Sequence, residues 1–585
     1  MRYDIVMVTY NSEMWLRGCV QALAKLEYDL TQLHLIFADN GSSDGTLALL
    51  AGLSAEYPVF GGFTVFSTGR NGGFGAGCNA GAAQGSAPYL LFLNVDTAIH
   101  PDALARLEEY IASAGENTAA WELRQLPYEH GKHYDPVTLE TAWCSGAAVV
   151  VLRSAFEAVG GFDAHIFMYG EDVDLSWRLR AAGAVLQYCP LAATEHFVLS
   201  KDHDRSLGEY AGSQLGRLLL AEKFGTPGQI LAMHREYLQV LRHPCHFDGV
   251  RRVLLKKYLW NLLHCWPFLF WRVKHPRLYR AQVADFREGY AVERGCNVLY
   301  PLHNTPLVSV IVRTCGKPWS LRQTLRSLCS QTYKHFEVIV VEDNSPAAQV
   351  VAQQEFPQLN IRYACPGEHY GRGRIGNLGL SMARGEFINF LDDDDFFYAD
   401  HLELMLSKFE ECPEAQLVVG AALEMVAEVT SREPYRLDVK QWVHLDNLRC
   451  DPLLVAGAIP MPLQSVMFRR ELYEQYGGMH ETIDGGEDWY MWLKYFARAR
   501  RTSLCHGDFY RATSIFLVPA DRAAAQKRDD HYKQYYAEAL AAVQEPFRFT
   551  AEELNQIYTC FLQDMAHLAR TGQLEGYLKQ RGFDV

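Results

Sequence analysis

Two sets of short motifs occur twice along this chain in the same order, about 300 residues apart, a spacing that means a repeated domain rather than a solenoid of small units. The first copy runs Val8-Thr9-Tyr10-Asn11, Asp39-Asn40, Asn94-Val95-Asp96 and Glu171-Asp172. The second runs Val312-Arg313-Thr314, Asp343-Asn344, Asp392-Asp393-Asp394-Asp395 and Glu487-Asp488. Each copy threads its motifs on the same layout. Tyr3–Thr9, Leu33–Ala38 and Tyr89–Leu93 read as strands, with helical spacing over Trp15–Lys25. Leu307–Val312, Glu337–Val341 and Phe387–Leu391 repeat that pattern around a helix at Leu321–Ser330. Strands alternating with helices predict an α/β fold, a mostly parallel sheet covered on both faces. Ligands of such sheets sit at the carboxyl ends of the strands, where Asp39, Asp96, Asp343 and Asp394 all fall.

The chain has 585 residues, room for several domains, and its 49% hydrophobic and 21% charged content is ordinary for a globular protein. A formal charge of −14 argues against a nucleic-acid binder. The 14 cysteines show no CxxC pairs, so neither a disulfide framework nor structural zinc is expected. Met1 runs directly into the strand-like Tyr3–Val8, and no apolar run reaches the ~18 residues of a membrane span. The sequence therefore predicts a cytoplasmic protein, at most peripheral on the inner face of the cell membrane. Domains are expected at 1–224 and 306–520, joined by a helical connector at 225–305 and followed by a helical tail at 521–585. Arg251 to Arg280 holds eight Lys or Arg, three Trp and no acid. Pro267 should divide it into two helices. Such a basic, aromatic segment suits an anionic membrane surface, or else a connector whose Trp and Leu pack between domains.

The carboxylates permit specific chemistry. Asp39 or Asp343 can accept a hydrogen bond from a nucleobase or ribose, although Asp-Asn pairs also favour turns. Four adjacent acids at 392–395 repel one another, and a divalent cation such as Mg²⁺ or Mn²⁺ would relieve the cost while sharing its shell with a diphosphate. Glu171-Asp172 and Glu487-Asp488 each open a helix and can cap it, or supply a general base that deprotonates an attacking hydroxyl. Both copies keep the pair after Gly160-Gly161-Phe162 or Gly477-Gly478-Met479, more than a cap requires. The glycine-rich stretch Asn71–Asn79 would let backbone approach a diphosphate, and Tyr370–Asn377 adds Arg372 and Arg374. His196 and His506 follow their helices, and His196 could complete a metal shell.

These residues resemble glycosyltransferase family 2, the inverting nucleotide-sugar transferases of the GT-A fold. The first copy is similar to the rhamnosyltransferase-like branch in Val8–Asn11, Asp39–Thr46, Asn71–Gly75 and Phe167–Asp174; the second resembles the wider family in Ser309–Val312, Gln331–Tyr333, Phe390–Asp395 and Gly486–Trp489. The resemblance implies two GT-A domains with Asp172 and Asp488 as catalytic bases. It implies donor contacts from Thr9, Asp39, Asn71, Gly73, Asn79, Thr314, Asp343, Arg372, Arg374 and Asn377. It implies a metal held by Asp96 with His196, and by Asp392 with Asp394. Donors would be UDP-, dTDP- or GDP-sugars and the acceptor a glycan or lipid-linked glycan, giving a bifunctional enzyme of surface-polysaccharide synthesis. One working domain beside an acceptor-binding copy, or a carbohydrate-binding scaffold, are the other readings. Asn94 departs from the Asp-x-Asp pattern, and Val312-Arg313-Thr314-Cys315 departs from the usual Thr/Tyr-Asn.

Overall fold

A computed structural model describes residues 1–197, 207–243, 248–279, 294–295, 301–445, 461–483, 486–496, 498–499, 501–503, 511–521 and 542. Nearly all of the expected tail, and His506, lie outside these residues. Strand β1 (Tyr3–Thr9) is apolar and buried on both faces, as a central parallel strand must be. The helix Glu13–Leu23 buries Leu16, Cys19, Val20 and Leu23, one stripe of an amphipathic helix. It returns the chain to β2 (Leu33–Asp39), and β3 (Gly62–Ser67) and β4 (Tyr89–Leu93) complete a parallel set in the order β3-β2-β1-β4. Beyond β4 the sheet turns mixed, through β5 (Thr97–Ile99), β6 (Thr118–Leu126), β7 (Ala148–Leu152) and β8 (Val185–His196), in the order β7-β6-β8-β5.

The second copy repeats the parallel half. Strands β9 (Val308–Thr314), β10 (Phe336–Glu342), β11 (Ile361–Ala364) and β12 (Phe387–Asp392) lie in the order β11-β10-β9-β12. Short β13 (Phe396–Phe397) leaves for a separate four-stranded sheet with β14 (Ala421–Arg432), β15 (Tyr435–Leu445) and β16 (Ala512–Pro519). In both copies the chain crosses from β1 to β2, or β9 to β10, on one side and reaches β4 or β12 on the other. The crevice at that reversal is where such sheets take ligands. The α/β class with two sheet-bearing domains is thus as the sequence implied, with one difference: each main sheet is parallel only in its first half, because β7 and its counterpart Val466–Arg469 enter antiparallel.

The connector forms helices Pro227–Arg242, Val250–His264 and Trp266–Lys274, the last two divided beside Pro267 as expected. Trp271 and Phe268 pack on the helix Leu207–Phe224, against Phe224 and Leu219. Most of the connector's other large apolar side chains do not pack between domains. Leu255, Leu259, Leu263, Trp266 and Phe270 face outward. The two copies meet directly instead. Tyr134, Leu139 and Tyr188 share a buried cluster with Phe396, Tyr398 and Leu423, and Arg124 pairs with Glu403 at 2.9 Å.

Candidate active sites

In the first copy, the loop entering β7 ties the motifs together. Asn94 N–H donates to Ala147 O at 2.9 Å, and Gly146 N–H donates to Asp172 Oδ2 at 3.1 Å. Asp172 therefore stands at the same sheet edge as the Asn94–Asp96 turn. Its helix, Glu171–Ala181, begins after Gly170, whose φ of 101° suits glycine. That helix is fixed by Arg178, which pairs with Asp174 at 2.6 Å and donates to Gly161 O at 2.7 Å. Burial raises the Asp172 carboxyl, and the Gly146 N–H opposes the rise. Burial, and then the Asp172 charge, push Glu171 up to about 8. Ionisation of either carboxyl therefore disfavours ionisation of the other.

Beside it, β5 pairs with β8 so that Thr97 lies opposite His196. This register brings His196 Nε2 to 3.5 Å from Asp96 Oδ2. His196 Nδ1 faces the Gln125 amide oxygen at 3.0 Å. A proton on Nδ1 leaves a lone pair on Nε2 beside the carboxylate, the arrangement a shared divalent cation needs. One carboxylate, with phosphate and water completing the shell, is an ordinary set for Mg²⁺, and an imidazole in that shell suits a transition-metal ion better. Among the described residues no cluster of three His, Cys, Asp or Glu is arranged for a metal. Gln125 was not legible beforehand: nothing local marks it, because the β6–β8 pairing alone delivers it.

The second copy solves the same charge problem differently. Arg313 grips Asp392 with two bonds of 2.8 Å and donates to Glu487 Oε1 at 2.9 Å. Lys317 Nζ reaches Asp393 and Asp394 at 3.1 Å each. A metal on Asp392 and Asp394 would therefore have to displace these cations. Their repulsion is relieved by a guanidinium and an ammonium, and Asp392 has both oxygens engaged. By strand register Arg313 and Asp392 stand where the first copy has Val8 and Asn94. The second copy thus has an acid and a guanidinium at two positions where the first has neither. Burial pushes Asp392 upward, but Arg313 outweighs it and holds the carboxyl below its usual range. Burial, reinforced by Glu487 and opposed by Arg313, pushes Asp488 up to about 7.

Several donor candidates turn out to hold the fold. Asn79 Nδ2 donates to Phe162 O at 2.8 Å and its oxygen accepts Phe162 N–H at 2.9 Å. Asn377 clasps Met479 likewise, at 3.0 and 2.8 Å. Both amides are engaged with backbone, a structural role beside the expected donor contact. They also explain the duplicated Gly-Gly-Phe/Met, since a Cβ at Gly161 or Gly478 would collide with the amide oxygen. Asn71 accepts the Gly73 N–H at 3.1 Å, and Gly73 lies against Phe167 backbone. The glycines that follow let their helix approach β1, Gly77 on Val8 and Gly81 on Val6. Close packing, more than a phosphate cradle, accounts for this run.

Asp39 is buried and takes the Thr9 hydroxyl at 3.0 Å and the Gly41 and Ser42 N–H groups at 3.1 and 3.0 Å. Asp343 takes the Tyr370 and Gly371 N–H groups at 2.6 and 3.1 Å, tying the glycine-rich loop to β10. The Thr314 hydroxyl donates to Asp393 at 2.6 Å. Arg372 opens its helix near enough to Asp392 to help hold that carboxyl down, while Arg374 turns to Glu481 at 3.7 Å.

Two α/β domains, each with an acidic turn and, at the same sheet edge, a buried Glu followed by a half-buried Asp, define a duplicated framework. The sequence pattern of "Glycosyl transferase family 2" matches residues 4–157 and 309–477, more than half of the chain, which belongs to that family. Asp172 and Asp488 lie just beyond the matched stretches. The chain is 27% identical over 243 residues to an uncharacterized glycosyltransferase of Haemophilus influenzae, covering 40% of this chain and 78% of that protein. It is 36% identical over 110 residues to the GalNAc(5)-diNAcBac-PP-undecaprenol beta-1,3-glucosyltransferase of Campylobacter jejuni, covering 18% of this chain and 35% of that protein. Among solved structures, the mannosyltransferase PcManGT of Pyrobaculum calidifontis, in complex with GDP-Man and Mn²⁺, aligns at a TM-score of 0.34 and 14% identity over 49% of this chain and 87% of that chain.

Proposed function

We propose that the protein is a bifunctional inverting glycosyltransferase, each copy moving one sugar from a nucleotide donor to a growing glycan of a bacterial surface polysaccharide. The observation carrying this reading is that both copies set a half-buried, helix-opening Asp next to a buried Glu, beside the strand-end acidic turn. In each, Asp172 or Asp488 takes the proton from the acceptor hydroxyl as that oxygen attacks the anomeric carbon and the nucleoside diphosphate departs from the opposite face. A raised carboxyl is the better base for this task near neutral pH. In the first copy Asp96 and His196 would hold a divalent cation, which would stabilise charge on the departing diphosphate. In the second copy Arg372, with the ammonium of Lys317, would meet that charge. The Campylobacter relative, matched over a third of its length, is named for a PP-undecaprenol glycan, which supports a lipid-linked acceptor.

The test is a donor screen with UDP-, dTDP- and GDP-sugars, reading released nucleoside diphosphate, followed by the variants Asp172→Asn and Asp488→Asn. Each should remove a different product, with a loss of about 10²–10⁴-fold. Loss of one common product in both variants would sink the two-reaction reading. A second reading, a single transferase whose other copy binds acceptor, is favoured by the engaged state of Asp392 and Asp394. It expects activity to survive Asp488→Asn.

A further inference from the structure

The two helices Val250–His264 and Trp266–Lys274 follow one another directly and form one rod-like segment joined by Cys265 alone, which is itself helical in conformation. One side of this rod packs on the protein through Leu254, Asn261 and Phe268. A rod lying on a globular surface should be polar on its outer side. This one is not. Leu255, Leu259, Leu262, Trp266, Phe270 and Val273 recur at intervals of three and four and all face solvent. Leu263 and Val273 are 72% and 71% exposed, and Trp266 is 58% exposed. Exposed Arg251, Arg252, Lys256 and Lys274 flank the stripe, and neither helix contains an acid. On a chain of formal charge −14 this is a locally cationic, apolar strip. Among the described residues no helix is long and apolar enough to cross a membrane.

We propose that this outer face is a docking surface for an anionic lipid bilayer, with the rod lying in the plane of the headgroups. The apolar stripe enters the acyl boundary while the flanking cations meet lipid phosphates, the arrangement of interfacial helices. Charge complementarity together with the stripe favours lipid as the occupant: exposed cations flank an exposed apolar row along both helices, and a bilayer offers phosphates and acyl chains in that same layering. The platform is also mechanically close to the first site. Phe268 packs with Ile166 and Leu219, and the same helix, Leu207–Phe224, sets Gly216 against the backbone of Tyr169 and Gly170, next to Glu171-Asp172. A docked rod therefore holds the first cleft at a fixed height over the bilayer, within reach of a lipid-linked acceptor.

Flotation of the full chain with vesicles tests this without turnover, so its failure is separable from failure of the transferase reading. The chain should float with vesicles containing phosphatidylglycerol, weakly or not at all with phosphatidylcholine alone, and less as salt rises. The variant Leu259→Gln/Leu263→Gln/Phe270→Gln, whose changed side chains are exposed, should keep its melting profile and partition at least about tenfold less. The variant Arg251→Gln/Arg252→Gln/Lys256→Gln should lose the preference for anionic vesicles. No flotation with anionic vesicles at low salt would overturn the proposal, as would undiminished flotation of the apolar variant. Concentration-dependent dimerisation, abolished by the apolar variant and without vesicle binding, would assign the face to a second copy and overturn it too.

Discussion

The carboxyl of Asp488 is pushed up to about 7, by burial first and the Glu487 charge second. Only its ionised form can accept the acceptor's proton, so the second copy's transfer should rise with pH through about 7 and fall on the acid side. A pH profile of kcat/KM for that product checks the sign; a profile flat between pH 5 and 8 would contradict it. Arg313 carries a second residue-scale expectation. Arg313→Val leaves Asp392 and Glu487 buried without their cation and should cost about 3–5 kcal/mol in a denaturant titration. Adding Asp392→Asn recreates the Val8–Asn94 pair of the first copy, and most of the stability should return. If the double variant is no more stable than the single one, the two residues do not act as a unit.

At the scale of elements, the Asn clasp predicts that Asn79→Ala leaves the Phe162 N–H and C=O unsatisfied, destabilising the first copy by about 1–3 kcal/mol without altering the donor's KM. A raised KM at unchanged stability would restore Asn79 to the donor site. How far the elements were legible follows from what made them. Tyr89–Leu93 is legible to the residue because it is an unbroken apolar run, and Tyr3–Thr9 because it is one but for Asp4 and the closing Thr9. The acidic turns and the Glu-Asp helix starts were legible as well, since the duplication singled them out. The roles of Asn79, Asn377, Arg313 and Gln125 were not. Each depends on a partner roughly 70 or more residues away, and only the fold reveals which polar group meets which. Arg313 did leave a trace, as a charge inside an apolar strand, yet its partners Asp392 and Glu487 are invisible in local sequence.

At the scale of the molecule, the two copies manage charge by different means: an Asp96–His196 pair open to a cation in one, Arg313 and Lys317 in the other. Chelation by EDTA should then stop the first transfer and spare the second, measured as two separate products. Equal loss of both would return the metal to the acidic run at 392–395. Finally, the aromatic seam between the copies bears on how such a chain is handled. Tyr134 accepts the Ala399 N–H at 3.0 Å, and His133 lies 2.7 Å from the Tyr398 hydroxyl. Cutting the polypeptide after its first half would strip both partners of that shared wall and lay bare tyrosines from each. The halves should then be sticky and poorly soluble alone, so the two clefts are sites that cannot drift apart.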